Sequence, residues 1–244
     1  MRNPKWHRDE IILALDLYFS KDRGSIDSGN PKIIEVSKVL NQLPIFHDRP
    51  DKEKFRNPNG VTLKLSNFKH FDPDHKGVGM SGGSKLDEIV FNEFYNDREK
   101  LRAIATEIRR ITDDPTLCEQ VNNIEDDEQT AEDSVTEGQV LYKLHKVRER
   151  DGKIITRKKE QVWTLYGKLA CEACIFEFEG YYGSIGKGYI ECHHRTPLAN
   201  FKVAKKTTLD DLAVVCSNCH RMLHRRIDTI TVEDLKTMIK YDRI

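Results

Sequence analysis

Four cysteines in two CxxC pairs and four histidines in two pairs carry the chemistry open to this chain. Cys171 and Cys174 bracket Glu-Ala, and Cys216 and Cys219 bracket Ser-Asn. Each CxxC is a turn that brings two thiolates toward one ion, and two such turns complete a zinc-type tetrahedron. A closed four-thiolate site leaves no open coordination position, so its zinc would be structural. A redox role for one pair would leave the other unexplained. The adjacent His193 and His194, and the pair His220 and His224, are then left for a different task. His220 and His224 are four residues apart and share a face if they lie on a helix. One divalent ion could bridge a strand and a helix through His193 and His220. His194 would point the other way along the strand and stay available as a base. The reaction that suits such a set is metal-assisted cleavage of a phosphodiester.

The flanking residues supply the elements that would position these groups. GKGYIEC (186–192) has strand character and runs into the His pair, and LAVVC (212–216) is a second short apolar run. SNCHRMLHRR (217–226) then reads as a helix carrying His220 and His224. Arg221, Arg225 and Arg226 lie on or near that helix and could clamp phosphates, although a basic helix end also suits the helix dipole. Glu191, just before the His pair, is either a carboxylate that supports that pair or a plain surface acid. A zinc-dependent binding module without catalysis would account for the cysteines. It has no use for four histidines at these positions.

This strand–strand–helix stretch resembles the HNH nucleases, whose ββα-metal fold holds a single catalytic ion. The run Asp211, His220, His224 has the spacing found in the nuclease domains of the DNase colicins. The resemblance implies His193 and His220 as metal ligands, His194 as general base, and His224 as a third ligand or a phosphate contact. Asp211 stands where the family's motif has Asn, which orients the loop carrying the base; an ionised Asp accepts hydrogen bonds but cannot donate them. A longer run, EGQVLYKLHKVRERDGKI through GKLACEAC and GKGYIECHHRTPL to LDDLAVVCSNCHRMLHRR, resembles the family of 5-methylcytosine-specific restriction proteins of the A type. That resemblance implies a defence (restriction) nuclease acting on double-stranded, modified foreign DNA. It also implies Mg²⁺ or another divalent ion such as Mn²⁺, Co²⁺ or Ni²⁺ for cleavage. One HNH site cuts one strand, so a double-strand cut calls for two visits or a homodimer. Toxin and repair nucleases share the fold, and the motif does not separate them.

The 244 residues suit one large or two small domains. Formal net charge is zero, but the charge comes in blocks. Residues 112–137 hold 10 Asp/Glu and no Lys/Arg, while 138–160 hold 8 Lys/Arg against 3 Asp/Glu. An acidic segment beside basic ones is compatible with a nucleic-acid enzyme. Lys158 and Lys159 close the basic run and are candidates for phosphate contact, with a solvated helix as the plainer alternative. No apolar run reaches transmembrane length, and the start MRNPKWHRDE has no signal-peptide pattern, so the expected location is the cytoplasm, without a membrane partner. Cysteines there are normally reduced, which favours metal ligation over disulfides.

Upstream, Ile11, Leu15 and Tyr18 predict a helix over 8–19, and Ile33, Val36 and Leu40 predict one over 32–43 that Pro44 ends. Val61, Leu65 and Phe68 predict a third, with Thr62, Lys64, Asn67 and Lys69 opposite, a face that could meet DNA or simply be solvated. A long helical pattern runs over 85–111. The expected fold is thus α+β. An all-helical DNA-reading domain (1–111) and an acidic, loosely packed linker (112–137) precede an HNH nuclease domain (138–244) with its structural four-cysteine zinc site.

Overall fold

The computed structural model describes residues 3–46, 48–77, 82–124, 139–149, 152–195, 207–225 and 230–240. It is helical, with one small two-stranded sheet. The chain divides into two compact units. One holds the described residues of 1–125 and 138–143, and the other those of 144–200 and 205–244.

The first unit is built on α1 (Arg8–Phe19), whose residues from Arg8 to Leu15 are all buried. Helices α2 (Pro31–Gln42), α3 (Pro58–Phe68), α4 (Lys85–Phe94) and α5 (Arg98–Asp113) pack against it or one another, and α6 (Pro115–Asn122) follows. Asn30 and Asn57 cap α2 and α3, each with Pro at the first helical position, where a missing N–H costs nothing. The pattern over 85–111 is divided into two helices. Asp97 accepts from the Lys100 N–H at 3.1 Å and starts α5 afresh, although the apolar period runs on.

Burying α1 all round places charges inside, and they are paired. Arg56 donates to both Glu10 oxygens, at 2.6 and 2.8 Å, and lies over the Trp6 and Phe55 rings. Lys64 donates to both oxygens of Asp87, at 2.7 and 2.8 Å, and is 6% exposed. The polar face read as a DNA contact is therefore partly internal. Burial lowers the Lys64 pKa, because a dry site disfavours the ammonium, and Asp87 opposes that shift. Helix α6 lies inside the stretch read as a loosely packed linker, and Val121 and Ile124 are buried. Residues 125–137 of that stretch lie outside the described residues.

Helix α7 (Gln139–Glu149) spans the division between units, which falls between Lys143 and Leu144. The second unit continues with α8 (Gly152–Tyr166) and the short α9 (Phe178–Tyr182). Strand β1 (Glu191–His194) pairs antiparallel with β2 (Leu212–Val215), with His193 opposite Ala213 and His194 opposite Leu212. Helices α10 (Ser217–His224) and α11 (Val232–Met238) follow. Its core joins Val162, Leu169, Ile190, Val214, Leu223 and Leu235 around the sheet. Both strands are nearly covered on both faces, unlike the alternation of a strand with one wet side.

Candidate metal centres

Two clusters of ligating side chains lie in the second unit and meet on α10. The first is Cys171, Cys174, Cys216 and Cys219, whose sulfurs all lie within 4.8 Å of one another. Cys174 Sγ and Cys216 Sγ are 3.6 Å apart. The edge of a zinc–thiolate tetrahedron with bonds near 2.3 Å is ~3.8 Å, so the set fits a zinc ion. Backbone geometry aims the thiols. The Cys174 N–H donates to Cys171 Sγ at 3.5 Å, and the Cys219 N–H to Cys216 Sγ at 3.4 Å, Cys216 being the N-cap of α10. The turn after the first pair puts Ile175 at φ 66°, a region that β-branched residues seldom adopt. Ile175 donates its N–H to Cys171 O at 2.8 Å, which closes that turn. Hydrogen bonds from the Cys216 and Cys219 side chains push the Cys171 pKa down, and burial raises that of Cys174 to about 11. The cluster thus favours a thiolate at Cys171, and a thiolate is the form that binds metal.

This first knuckle is tied to the sheet. The Glu172 N–H donates to Val214 O at 2.9 Å, and the Glu172 carboxylate accepts from the Val214 N–H at 2.9 Å. Arg195, the residue after the His pair, bonds both Glu172 and Glu233, the latter at 2.9 Å. The first cysteine turn, both strands and α11 are therefore cross-linked around the end of β1.

The second cluster is made of imidazoles. His220 and His224 share one face of α10, and their Nε2 atoms are 3.0 Å apart. His220 Nδ1 lies 2.5 Å from Glu191 Oε2. Glu191 also accepts from Ser217 Oγ at 2.7 Å, and its pKa is held down at about 2, chiefly by His220 and then by Ser217, against the opposing effect of burial. With Nδ1–H donating to the carboxylate, His220 presents the Nε2 lone pair, the arrangement of a carboxylate-backed metal ligand. Two imidazole nitrogens bound to one ion at about 2.0–2.1 Å lie roughly 3.0–3.4 Å apart, so the observed spacing fits a shared cation. The His193 ring stands 5.2 Å from that of His220 and 5.1 Å from that of His224.

His194 is 1% exposed, and its Nε2 lies 3.4 Å from Thr207 Oγ1. Asp211 closes the short 3₁₀ turn before β2: its carboxylate accepts from the Thr208 N–H at 2.8 Å and from Thr208 Oγ1 at 2.6 Å. Its backbone carbonyl accepts from the Arg195 N–H at 2.9 Å, so the main chain of Asp211 braces the end of β1. Every one of these contacts needs an acceptor, which an Asp supplies as well as an Asn.

The arginines and lysines fare unequally. Arg221 and Arg225 are exposed, and Arg226 lies outside the described residues. Lys158 is 7% exposed and points its ammonium at Gln161 Oε1, 3.3 Å away. Lys159 is half-buried, with its ammonium 3.5 Å from Gly188 O.

One site residue escaped the sequence reading. His145, on α7, is fully buried, and one ring nitrogen each of His145, His193 and His224 lie within 4.8 Å of one another. Its ring centroid is 5.7, 5.3 and 5.2 Å from those of His193, His194 and His224. No motif marked it. It follows Leu144 and sits four residues after Leu141, and a lone His on an apolar helix face ordinarily reads as core.

Two antiparallel strands followed by a helix bring imidazoles from β1 and α10 together. Residues 171–226 match the family model described as HNH endonuclease. No curated protein and no solved structure matches the chain. The matched segment supports nuclease activity in general, and HNH nucleases act on DNA. No helix among the described residues is long and apolar enough to cross a membrane.

Proposed function

We propose that this protein is a metal-dependent DNA endonuclease whose cutting centre is the imidazole cluster on β1 and α10. The observation that carries the reading is His220, backed by Glu191 at 2.5 Å and facing His224 Nε2 at 3.0 Å, inside a segment of HNH type. His193, His220 and His224 hold the divalent ion. That ion, when bound, stabilises charge on the attacked phosphate and on the leaving 3′ oxygen. His194 takes the proton from the attacking water, and Thr207 and the chain around Arg195 hold its ring in place. Arg221 and Arg225 grip phosphates flanking the scissile one. The four cysteines hold zinc that fixes the start of α10 and so the direction of both its histidines.

Within this reading the helical residues 1–111 serve as the DNA-reading part, and the nuclease is a restriction enzyme directed at modified foreign DNA, acting in the cytoplasm and cutting both strands as a homodimer. The basic run ahead of the first CxxC and the likeness to cytosine-methylation-dependent restriction proteins support it. The test is digestion of matched plasmids, unmodified and cytosine-methylated, with Mg²⁺, Mn²⁺, Co²⁺ or Ni²⁺ supplied in turn. Preferential cleavage of methylated DNA is expected. Equal cleavage of both removes the restriction reading and leaves the nuclease, whereas no cleavage with any ion removes both.

A further inference from the structure

We infer that His145, on α7 and outside the matched segment, is an additional ligand of the catalytic ion. The inference rests on the nuclease reading and extends it to a residue that the HNH segment does not contain. His145 is fully buried, and its ring stands 5.7, 5.3 and 5.2 Å from those of His193, His194 and His224. One of its nitrogens shares a 4.8 Å sphere with a nitrogen each of His193 and His224. Cis ligands on one ion are roughly 3.0–3.4 Å apart, so a closure of at most about 1.8 Å, within the reach of ring rotation, would complete the shell. Packing several neutral imidazoles together, each with one lone pair, is what a cation at their centre would reward.

Two consequences follow. A segment trimmed to residues 171–226 would lack part of its metal shell, because α7 supplies His145. An ion bound by His145, His193, His220 and His224 would sit among nitrogen donors, which suit Co²⁺ and Ni²⁺, whereas Mg²⁺ prefers oxygen and retained water. Five- or six-coordinate ions of that kind keep positions open for water and phosphate.

The experiment uses the full chain with its cysteine site filled by zinc, titrated with Co²⁺ and followed by the visible absorption of the bound ion. Wild type, His145→Gln and His220→Ala are compared, with zinc content as the check on folding. His145→Gln should keep zinc, change the cobalt spectrum and weaken Co²⁺ by at least about tenfold. Mg²⁺ in large excess should fail to displace Co²⁺ from wild type. Unchanged affinity and spectrum in His145→Gln, with both altered in His220→Ala, would overturn this inference and leave the nuclease reading standing. Unchanged behaviour in both variants would overturn both. Should His145→Gln lose its zinc, anomalous diffraction at the cobalt edge from wild-type crystals decides the matter without any substitution. Cobalt about 2.1 Å from a His145 nitrogen supports the inference, and a separation beyond about 3.5 Å ends it.

Discussion

The two clusters share one helix and differ in what they leave open. Cys216 and Cys219 occupy the N-cap and first turn of α10, and His220 and His224 occupy the turns that follow. The cysteine cluster is four thiols of one kind, drawn together by backbone N–H groups and held to β2 through Glu172. The imidazole cluster is backed by a carboxylate, and two of its members, His220 and His224, are only partly buried. A closed thiolate site contributes folding energy, while an imidazole site with room beside it can admit a phosphate. One eight-residue helix thus carries members of both clusters, with Cys219 and His220 adjacent on it.

The largest effect that would break the comparison lies in the cysteines. Cys171→Ser removes the thiolate that the Cys216 and Cys219 side chains favour. Because metal binding in such a site is folding energy, the second unit should lose zinc and its cooperative unfolding transition. Elemental analysis and thermal melting check this. An active preparation without zinc would show that the cysteines fold the unit by packing alone.

Next in size is His194→Ala. Losing a general base costs about 10²–10⁴-fold in turnover. Zinc content and the affinity for the catalytic ion should stay at wild-type values, whereas His193→Ala and His220→Ala should weaken that ion and respond to excess Mn²⁺. Single-turnover cleavage rates beside metal titrations separate the two classes. Wild-type cleavage by His194→Ala would remove the base from β1 and reduce the imidazole cluster to a binding site.

Glu191→Gln sharpens the comparison at one contact. The carboxylate accepts from Ser217 Oγ at 2.7 Å and lies 2.5 Å from His220 Nδ1. A neutral amide keeps the shape and loses the charge that raises the basicity of His220. Catalytic-ion affinity should fall about 10–100-fold, with zinc and melting temperature nearly unchanged. From the sequence, Glu191 either supports the adjacent His193–His194 pair or is a plain surface acid, and the contact it makes is with His220 on α10.

Much of this was legible because short-range signals and tertiary packing agree. Helix α1 starts and ends where the apolar period over 8–19 places it, and both CxxC pairs converge. What stayed hidden depends on partners distant in sequence. Lys64 reads as a polar-face lysine until Asp87, 23 residues on, turns it inward. Lys158 sits in a run that looks solvated, and its burial comes from the packing of α8. The break between α4 and α5 comes from the Asp97 cap, a local signal that an uninterrupted apolar period outweighed. His145 had no local signal, since it sits in an ordinary amphipathic helix between Leu144 and Lys146 and its counterparts lie on β1 and α10.

The smallest effect concerns Asp211, where the family's motif carries Asn. The carboxylate serves the turn before β2, accepting from Thr208 twice, and the contact that reaches the His pair is made by its backbone carbonyl to the Arg195 N–H at 2.9 Å. Asp211→Asn keeps one side-chain acceptor and leaves the backbone contact intact. Stability should therefore change by less than about 1 kcal/mol, in line with exchanges among capping residues. Cleavage should remain within about twofold of wild type, because the chain direction at His194 is set by main-chain bonding. Asp211→Ala removes the oxygen that accepts both Thr208 hydrogen bonds and should cost about 0.5–2 kcal/mol, read as a lower melting temperature, with a modest fall in rate that follows the stability. A tenfold or larger change in turnover for Asp211→Asn, at unchanged melting temperature, would mean that the carboxylate reaches the reacting groups. The line between structural and reactive residues would then have to be drawn on the other side of the 3₁₀ turn.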